Sequence, residues 1–397
     1  MRRHLRAQRR EGFDLNVNLL GEMVLGDGEA AHRFDRTLAL VDDPGVDYVS
    51  VKLSSVAAQL DLWSFDATLA RVEERLRALL TRAAGSTPPT FVNLDMEEYR
   101  DLELTLRAFM AVLDEPELRQ LTAGIVLQCY LPDAFDALQR LSAWAAERHS
   151  AGGGVVKVRL VKGANLAMEK VDAATHGWHQ APYPSKDDVD ASYKRCVDWV
   201  LRPERLRGLR VGVASHNLFD VAWAHLLAAR RGVSASVEME MLHGIAPAQA
   251  RAVRDDSRGL RLYTPVVSRK DFDIAIGYLF RRLEENTSTE NFLRHLWTLE
   301  PGSSEFARQA DRFRRAVARR WEVDTTPRRA GGPLPVPADA FENEPDTDPS
   351  LPATQEWLRS VREGTPGPVQ APVVTDVAVV DGAIERARAA QPAWARR

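Results

Sequence analysis

Eight short runs rich in β-branched and other apolar residues recur along the chain: NVNLL, YVSVKLS, TFVNLDM, AGIVLQCY, VVKVRLV, VGVASHN, VEMEMLH and RLYTPVV. Segments of a different period separate them. FDATLARVEERLRALLTRA and LELTLRAFMAVLD place apolar residues at i, i+3, i+4 and i+7, the stripe that an amphipathic helix buries against a sheet. Alternating strands and helices predict parallel strands joined by crossover helices. Eight such units in about 280 residues match the size of an α/β (β/α)8 TIM-type barrel. An open doubly wound sheet would place a glycine-rich turn between its first strand and helix. No such turn occurs there, and the GGG at 152–154 precedes a strand, where it reads as a loop.

The alternation stops after Arg320. Prolines crowd the remainder, in GGPLPVPAD and PGPVQAP, and mark a linker or extended arm. Helical periodicity returns in DVAVVDGAIERARAAQPAWARR. The expected organisation is a basic segment at 1–14, a barrel at 15–300, a helix with a Pro-rich extension at 301–340, and the start of a further domain at 341–397.

Composition narrows function by exclusion. Lys and Arg number 53 against 56 Asp and Glu, a formal charge of −3, so no overall field favours nucleic acid or an anionic surface. No apolar run reaches the roughly 18 residues of a membrane helix. The basic start MRRHLRAQRR lacks the apolar run of a signal peptide. Two cysteines, Cys129 and Cys196, cannot build a disulfide framework and suit a reducing cytoplasm. Lysine is scarce, at seven of the 53 basic residues, which gives weight to Lys52 and Lys162 at strand ends.

In a barrel of this type the chemistry sits at the C-terminal ends of the strands, while the strand bodies pack. Those ends carry Lys52, Asp95, Gln128, Arg159 with Lys162, the Ser215, His216 and Asn217 triplet, Glu240 and Tyr263. One such residue alone is commonly a structural ion pair. Convergence of all of them describes a mouth lined with donors and acceptors. No metal-ligand set emerges, since His176 and His179 in HGWH lack a third ligand nearby, and no nucleophile elbow is present. The mouth suits a polar cofactor and a small anion, so cofactor-borne chemistry is expected. Late in the chain, YLFRRLEEN sets Arg281 and Arg282 about 100° apart on a helix, where both reach one anion from its flank. Paired guanidiniums suit a carboxylate. The alternative is a solvated helix end with Arg281 paired to Glu285.

In order along the chain, NLLGEMVL, VSVKLSS, VNLDMEE, VLQCYLPD, RLVKGAN, YPSKDDVDASY, ASHN, EMEMLHGI, RLYTPV and RRLEEN resemble the proline dehydrogenase family. The resemblance is specifically to the flavin-dependent barrel that opens bifunctional proline utilization enzymes, and it runs from about residue 15 to about residue 300. RLVKGA and the arginine pair with its following Glu-Asn are its most specific pieces. FENEPDTDPSLPA and DGAIERARAAQPAWARR resemble the opening of an aldehyde dehydrogenase domain, so 341–397 is expected to be a truncated start of that domain.

The resemblance implies a noncovalent FAD across the strand ends and oxidation of L-proline to pyrroline-5-carboxylate. Electrons would pass to a quinone, with a peripheral contact at the inner face of the membrane. It implies Arg159 beside the flavin N5, and Val161, Lys162, Gly163 and Ala164 along the isoalloxazine and phosphates. Gln128 would bond the ring; Lys186, Ser215, His216 and Asn217 would hold the phosphates and adenosine. Glu240, Met241, Glu285 and Asn291 would also contact the cofactor. Arg281 and Arg282 would clamp the proline carboxylate, Lys52 and Asp95 would order the site, and Ala164, Leu242 and Tyr263 would surround the pyrrolidine ring. Asn165 stands where many bifunctional relatives carry tyrosine and Glu240 where glutamine is common, and Ser185 and Asn291 also depart from the pattern. Competing readings are another flavin barrel of the methylenetetrahydrofolate reductase type and an inactive barrel serving as an assembly module.

Overall fold

Each of the eight apolar runs forms a strand: β1 (Asp14–Leu19), β2 (Tyr48–Lys52), β3 (Phe91–Asp95), β4 (Gly124–Gln128), β5 (Val156–Val161), β6 (Leu209–Ala214), β7 (Val237–Leu242) and β8 (Arg261–Val266). They pair in parallel in chain order, and β8 returns to β1 with Arg261 opposite Asp14 and Val266 opposite Leu19, closing the barrel. The structure is a computed structural model and describes residues 2–21, 23–257, 259–268, 271–287, 290–331, 343–364 and 373–396.

Helix α1 (Arg2–Arg10) precedes the barrel, and α2 (Asp27–Val41), α3 (Leu53–Val56), α4 (Phe65–Ala84), α5 (Leu102–Leu113) and α6 (Asp133–Ser150) follow in turn. Next come α7 (Leu166–His176), α8 (Lys186–Val200), α9 (Leu218–Arg230), α10 (Pro247–Ser257) and α11 (Phe272–Thr287). After the barrel lie α12 (Phe292–His295), α13 (Ser304–Arg319), α14 (Pro352–Glu363) and α15 (Val377–Trp394). The helical period of the sequence is what the core uses: α4 buries Phe65, Thr68, Val72, Leu76, Leu79, Leu80 and Ala83 and leaves its other face to solvent. None of the described helices is long and apolar enough to cross a membrane.

Strand alternation sorts residues between the helix layer and the barrel interior. On β5, Val156, Val158 and Leu160 face the helices and are fully buried. The intervening Lys157 and Arg159 point inward, where they meet Glu238 and Glu240 of β7. The expectation that strand bodies only pack is corrected here. Barrel interiors of this type are ordinarily filled by branched apolar side chains, whereas this one holds Tyr48, Ser50, Asn93, Lys157, Arg159, Glu238 and Glu240 in one hydrogen-bonded and ion-paired set. Gly212 on β6 makes the room: a Cβ there would lie 2.0 Å from Glu240 Oε1 and 3.0 Å from Lys157 Cε.

The barrel's packing continues past residue 300. Arg319 and Arg320 at the end of α13 bond Asp188 and Asp198 of α8 at 2.7 and 2.6 Å, and Phe313 stacks on Phe219 of α9 with centroids 5.8 Å apart. Arg329 sits between the Tyr99 and Trp178 rings and bonds Asp172 and Asp348 at 3.2 and 3.3 Å. The first compact unit runs Met1–Gln355 and the second Glu356–Arg397. In the second, α15 buries no residue.

Gly212→Ala is expected to lose about 1–3 kcal/mol, as over-packing a filled interior does. Gly28→Ala in α2, where a Cβ meets nothing within 4 Å, is the control and is expected to shift stability by less than about 0.5 kcal/mol. Equal urea midpoints for the two variants would contradict the packed polar interior.

Candidate active site at the barrel mouth

Asp95 ends β3 and collects donors from the strands on both sides. Its Oδ1 accepts from Ser50 Oγ at 3.1 Å, Asn93 Nδ2 at 3.0 Å and Arg159 at 3.0 Å. Its Oδ2 accepts from Asn18 Nδ2 at 3.0 Å and from the Tyr263 hydroxyl at 2.7 Å, and Asn18 also donates to that hydroxyl oxygen. A carboxylate offers about four lone-pair positions, so five donors saturate it. Burial and the adjacent Asp95 raise the Tyr263 pKa well above its ordinary value, which keeps the phenol protonated and donating.

Arg159 spans the interior from Asp95 to Glu240, whose Oε2 accepts from Arg159 Nε at 2.6 Å. Lys157 reaches the other Glu240 oxygen at 2.7 Å, and Arg261 bonds Glu238 at 2.8 Å. Three cations thus face three carboxylates. Burial alone would lower the Arg159 pKa, but Glu240, Tyr48 and Asp95 outweigh it and hold the group charged above its usual range. At the rim, Lys52 Nζ pairs with Glu97 at 2.6 Å, and Gln128 Nε2 donates to the Glu97 carbonyl at 3.1 Å.

A second charged cluster lies on the helix side of β5. Lys162 pairs with Asp190 of α8 and Asp220 of α9, both at 2.7 Å, and lies over the Tyr193 ring at 5.5 Å. Lys186 reaches Asp190 at 2.5 Å, Lys194 reaches Asp220 at 2.7 Å, and Arg312 of α13 lies 3.4 Å from Asp190. Burial opposes the charge of Lys162, yet Asp190 and Asp220 raise its pKa above the ordinary lysine value. Lys186 goes the other way: burial first and then the Lys162 charge pull it down to about 8.

His216 follows β6, and its Nε2 accepts from the Leu242 amide at 3.0 Å, so the ring proton sits on Nδ1. That Nδ1 is buried with no hydrogen-bond partner among the described residues. Burial, and next the Arg282 charge, lower the His216 pKa to about 4, so the ring is neutral. Arg282 is half-buried with its guanidinium 5.4 Å over Tyr278; the side chains of Arg281 and Glu285 lie outside the described residues. Ser215 Oγ accepts from the Asn217 amide at 3.0 Å, and the Asn217 and Asn291 carboxamides cap α9 and α12. Val161 and Leu242 are half-buried, while Gly163 and Ala164 are exposed just beyond β5. Gly163 has φ +127° and lies against the Tyr130 ring, where a Cβ would come within 2.5 Å. Met241 alternates with Glu240 and Leu242, so its buried side chain faces the helix layer and only its backbone borders the mouth.

A family profile described as "Proline dehydrogenase" matches residues 1–295. The chain belongs to the proline dehydrogenase family. Proline utilization A from Corynebacterium freiburgense is similar in structure with a TM-score of 0.85 and 48% identity, over 96% of this chain and 37% of that one. The Bdellovibrio bacteriovorus protein inactivated by N-propargylglycine gives 0.75 and 29%, over 91% and 38%. Human mitochondrial proline dehydrogenase 1 is 38% identical over 98 residues, covering 24% of this chain and 16% of that protein. Rat hydroxyproline dehydrogenase is 32% identical over 151 residues, covering 38% and 31%. The chain therefore spans well under two thirds of the length of each of these four relatives.

Within this proline dehydrogenase-family barrel, several residues that hold the site together escape a reading of strand ends. Asn18, Ser50 and Asn93 are inward residues one turn of the pleat below the rim. Glu97 lies two residues beyond Asp95 in the VNLDMEE run. Asp190 stands four residues after Lys186, a helical spacing visible in SKDDVD. Glu238 and Asp220 carried no signal, because their partners lie far away in sequence. Asp95→Ala is expected to cost about 3–5 kcal/mol, since it strips a buried guanidinium of one carboxylate, read as a fall in the urea unfolding midpoint. A midpoint within error of the parent chain would mean that Arg159 does not depend on Asp95.

Proposed function

We propose that this chain carries an FAD-dependent proline dehydrogenase site that oxidises L-proline to pyrroline-5-carboxylate. The observation that carries the reading is a charge-compensated Arg159 on β5, a cation-rich cluster at Lys162 just beyond that strand, and a buried His216 Nδ1–H without a partner among the described residues. Those features fit FAD. Lys162, Lys186 and Arg312 would meet its diphosphate, His216 would donate to an acceptor atom of it, and Gly163 holds the φ +127° turn beyond β5 against the Tyr130 ring. Ser215, Asn217 and Asn291 would approach through helix N-termini already capped by their side chains or neighbours.

Bound FAD would supply the two-electron acceptor for hydride lost from the ring carbon next to the proline nitrogen. The protein's part is placement. Arg282, with Arg281, would neutralise the substrate carboxylate, and Lys52, fixed by Glu97, would keep a cation at the rim. Asp95, with both oxygens occupied, acts as an organiser of Arg159 and Tyr263 and not as a base. Tyr263, Leu242 and Ala164 would border the ring. Loss of the amine proton is favoured by the cations converging on this mouth. Glu240, bonded to Arg159, joins the cofactor site from beneath it. A quinone as final acceptor, a peripheral membrane contact, a cytoplasmic location and an aldehyde dehydrogenase domain in the same polypeptide complete the proposal.

Purified chain should hold flavin that acid releases into the supernatant, and anaerobic proline should bleach it. Arg282→Met and Arg282→Lys should raise the half-saturating proline concentration about 10- to 150-fold at matched flavin occupancy, the loss of a charge-assisted fork. Unchanged half-saturation in both variants would overturn the carboxylate assignment, and flavin that never bleaches would overturn the substrate.

A further inference from the structure

The two charged clusters flanking β5 differ in balance. Inside the barrel, Lys157, Arg159 and Arg261 face Asp95, Glu238 and Glu240, and the charges cancel. On the helix side, among the described residues, Lys162, Lys186, Lys194 and Arg312 face Asp190 and Asp220. Asp187 approaches Arg312 at 3.8 Å, but it is about half exposed and screened. Counted over the described residues, the cluster between β5, α8, α9 and α13 carries two cations more than carboxylates.

From this imbalance we propose that Lys186 takes up a proton when the diphosphate of FAD binds at this cluster. The inference rests on the flavin reading above and concerns how that site is charged. A dinucleotide diphosphate carries two negative charges, the number the described carboxylates leave unmatched on the four cations when all are protonated. Lys186 is the member that gives way without the ligand. It shares Asp190 Oδ1 with Lys162, which stands at 2.7 Å from the same oxygen, and faces Arg312 from α13. Asp220 of α9 is committed to Lys162 and Lys194. No α6 side chain is ion-paired to the cluster among the described residues. One carboxylate oxygen thus serves two ammonium groups, and burial, and next the Lys162 charge, bring Lys186 to about 8. An arriving diphosphate reverses the sign of its surroundings and favours the ammonium form.

The direction follows from linkage. At pH 7 Lys186 is already mostly protonated, so binding takes up about 0.1 proton; at pH 9 it is mostly neutral, and binding takes up about 0.9 proton. Over the same interval FAD affinity weakens about tenfold.

The test titrates FAD into the flavin-stripped chain by calorimetry at pH 7 and pH 9, each in two buffers of different ionisation enthalpy, with flavin fluorescence reporting affinity in parallel. The expected result is a buffer-dependent enthalpy at pH 9 that nearly vanishes at pH 7. Lys186→Arg, charged throughout, should bind FAD with no proton uptake and without the tenfold loss at pH 9. FAD that binds wild type with buffer-independent enthalpy at pH 9 overturns the inference and leaves the flavin reading standing. No FAD binding at pH 7 overturns both. Proton uptake that persists in Lys186→Arg assigns the proton elsewhere and overturns the role of Lys186.

Discussion

The buried guanidinium of Arg159, held between Asp95 and Glu240, is the interaction on which the rest of this barrel depends. A charge taken out of water costs several kcal/mol unless it is compensated and its donors are satisfied. The sequence meets that demand from four strands at once: Asp95 from β3, Glu240 from β7, Ser50 and the Tyr48 hydroxyl from β2, with the Tyr263 ring of β8 5.5 Å away. Each partner then needs partners of its own. Glu240 draws in Lys157, Lys157 draws in Glu238, and Glu238 is closed by Arg261. The polar interior is the consequence of one buried cation, and Gly212 is the space it requires.

Compensation also bears on the proposed function. Because Glu240 and Asp95 neutralise Arg159 from beneath and beside, the guanidinium is oriented by the protein's own groups. The helix-side cluster has no such closure. Among the described residues its cations outnumber its carboxylates, which makes it the part of the mouth proposed to change charge on binding. β5 separates these behaviours by strand alternation: Arg159 turns inward to a balanced network and Lys162 outward to an unbalanced one. The family motif RLVKGA is the stretch of sequence that does this.

The architecture was legible because each strand carries an apolar outward face and each helix an amphipathic stripe; Val156, Val158 and Leu160 alone betray β5. Candidate residues at strand ends were legible by position, and Asp95, Arg159 and Tyr263 do meet. What could not be read was pairing. Arg159 and Glu240 lie 81 residues apart and Asp95 and Tyr263 168 apart, and nothing local records which strands a closed barrel brings face to face. For the same reason Lys157 and Glu238 passed as strand-body residues, and Met241 looked like a neighbour of the site although the pleat turns it away.

The central claim, that this network organises a site for hydride removal from the carbon beside the proline nitrogen, is tested most directly with proline deuterated at C5. In an anaerobic single turnover of the flavin-loaded chain, flavin reduction should slow several-fold relative to unlabelled proline, and the product should have lost one of the two C5 deuterium atoms. Full retention of both, with no isotope effect on flavin reduction, would contradict the account.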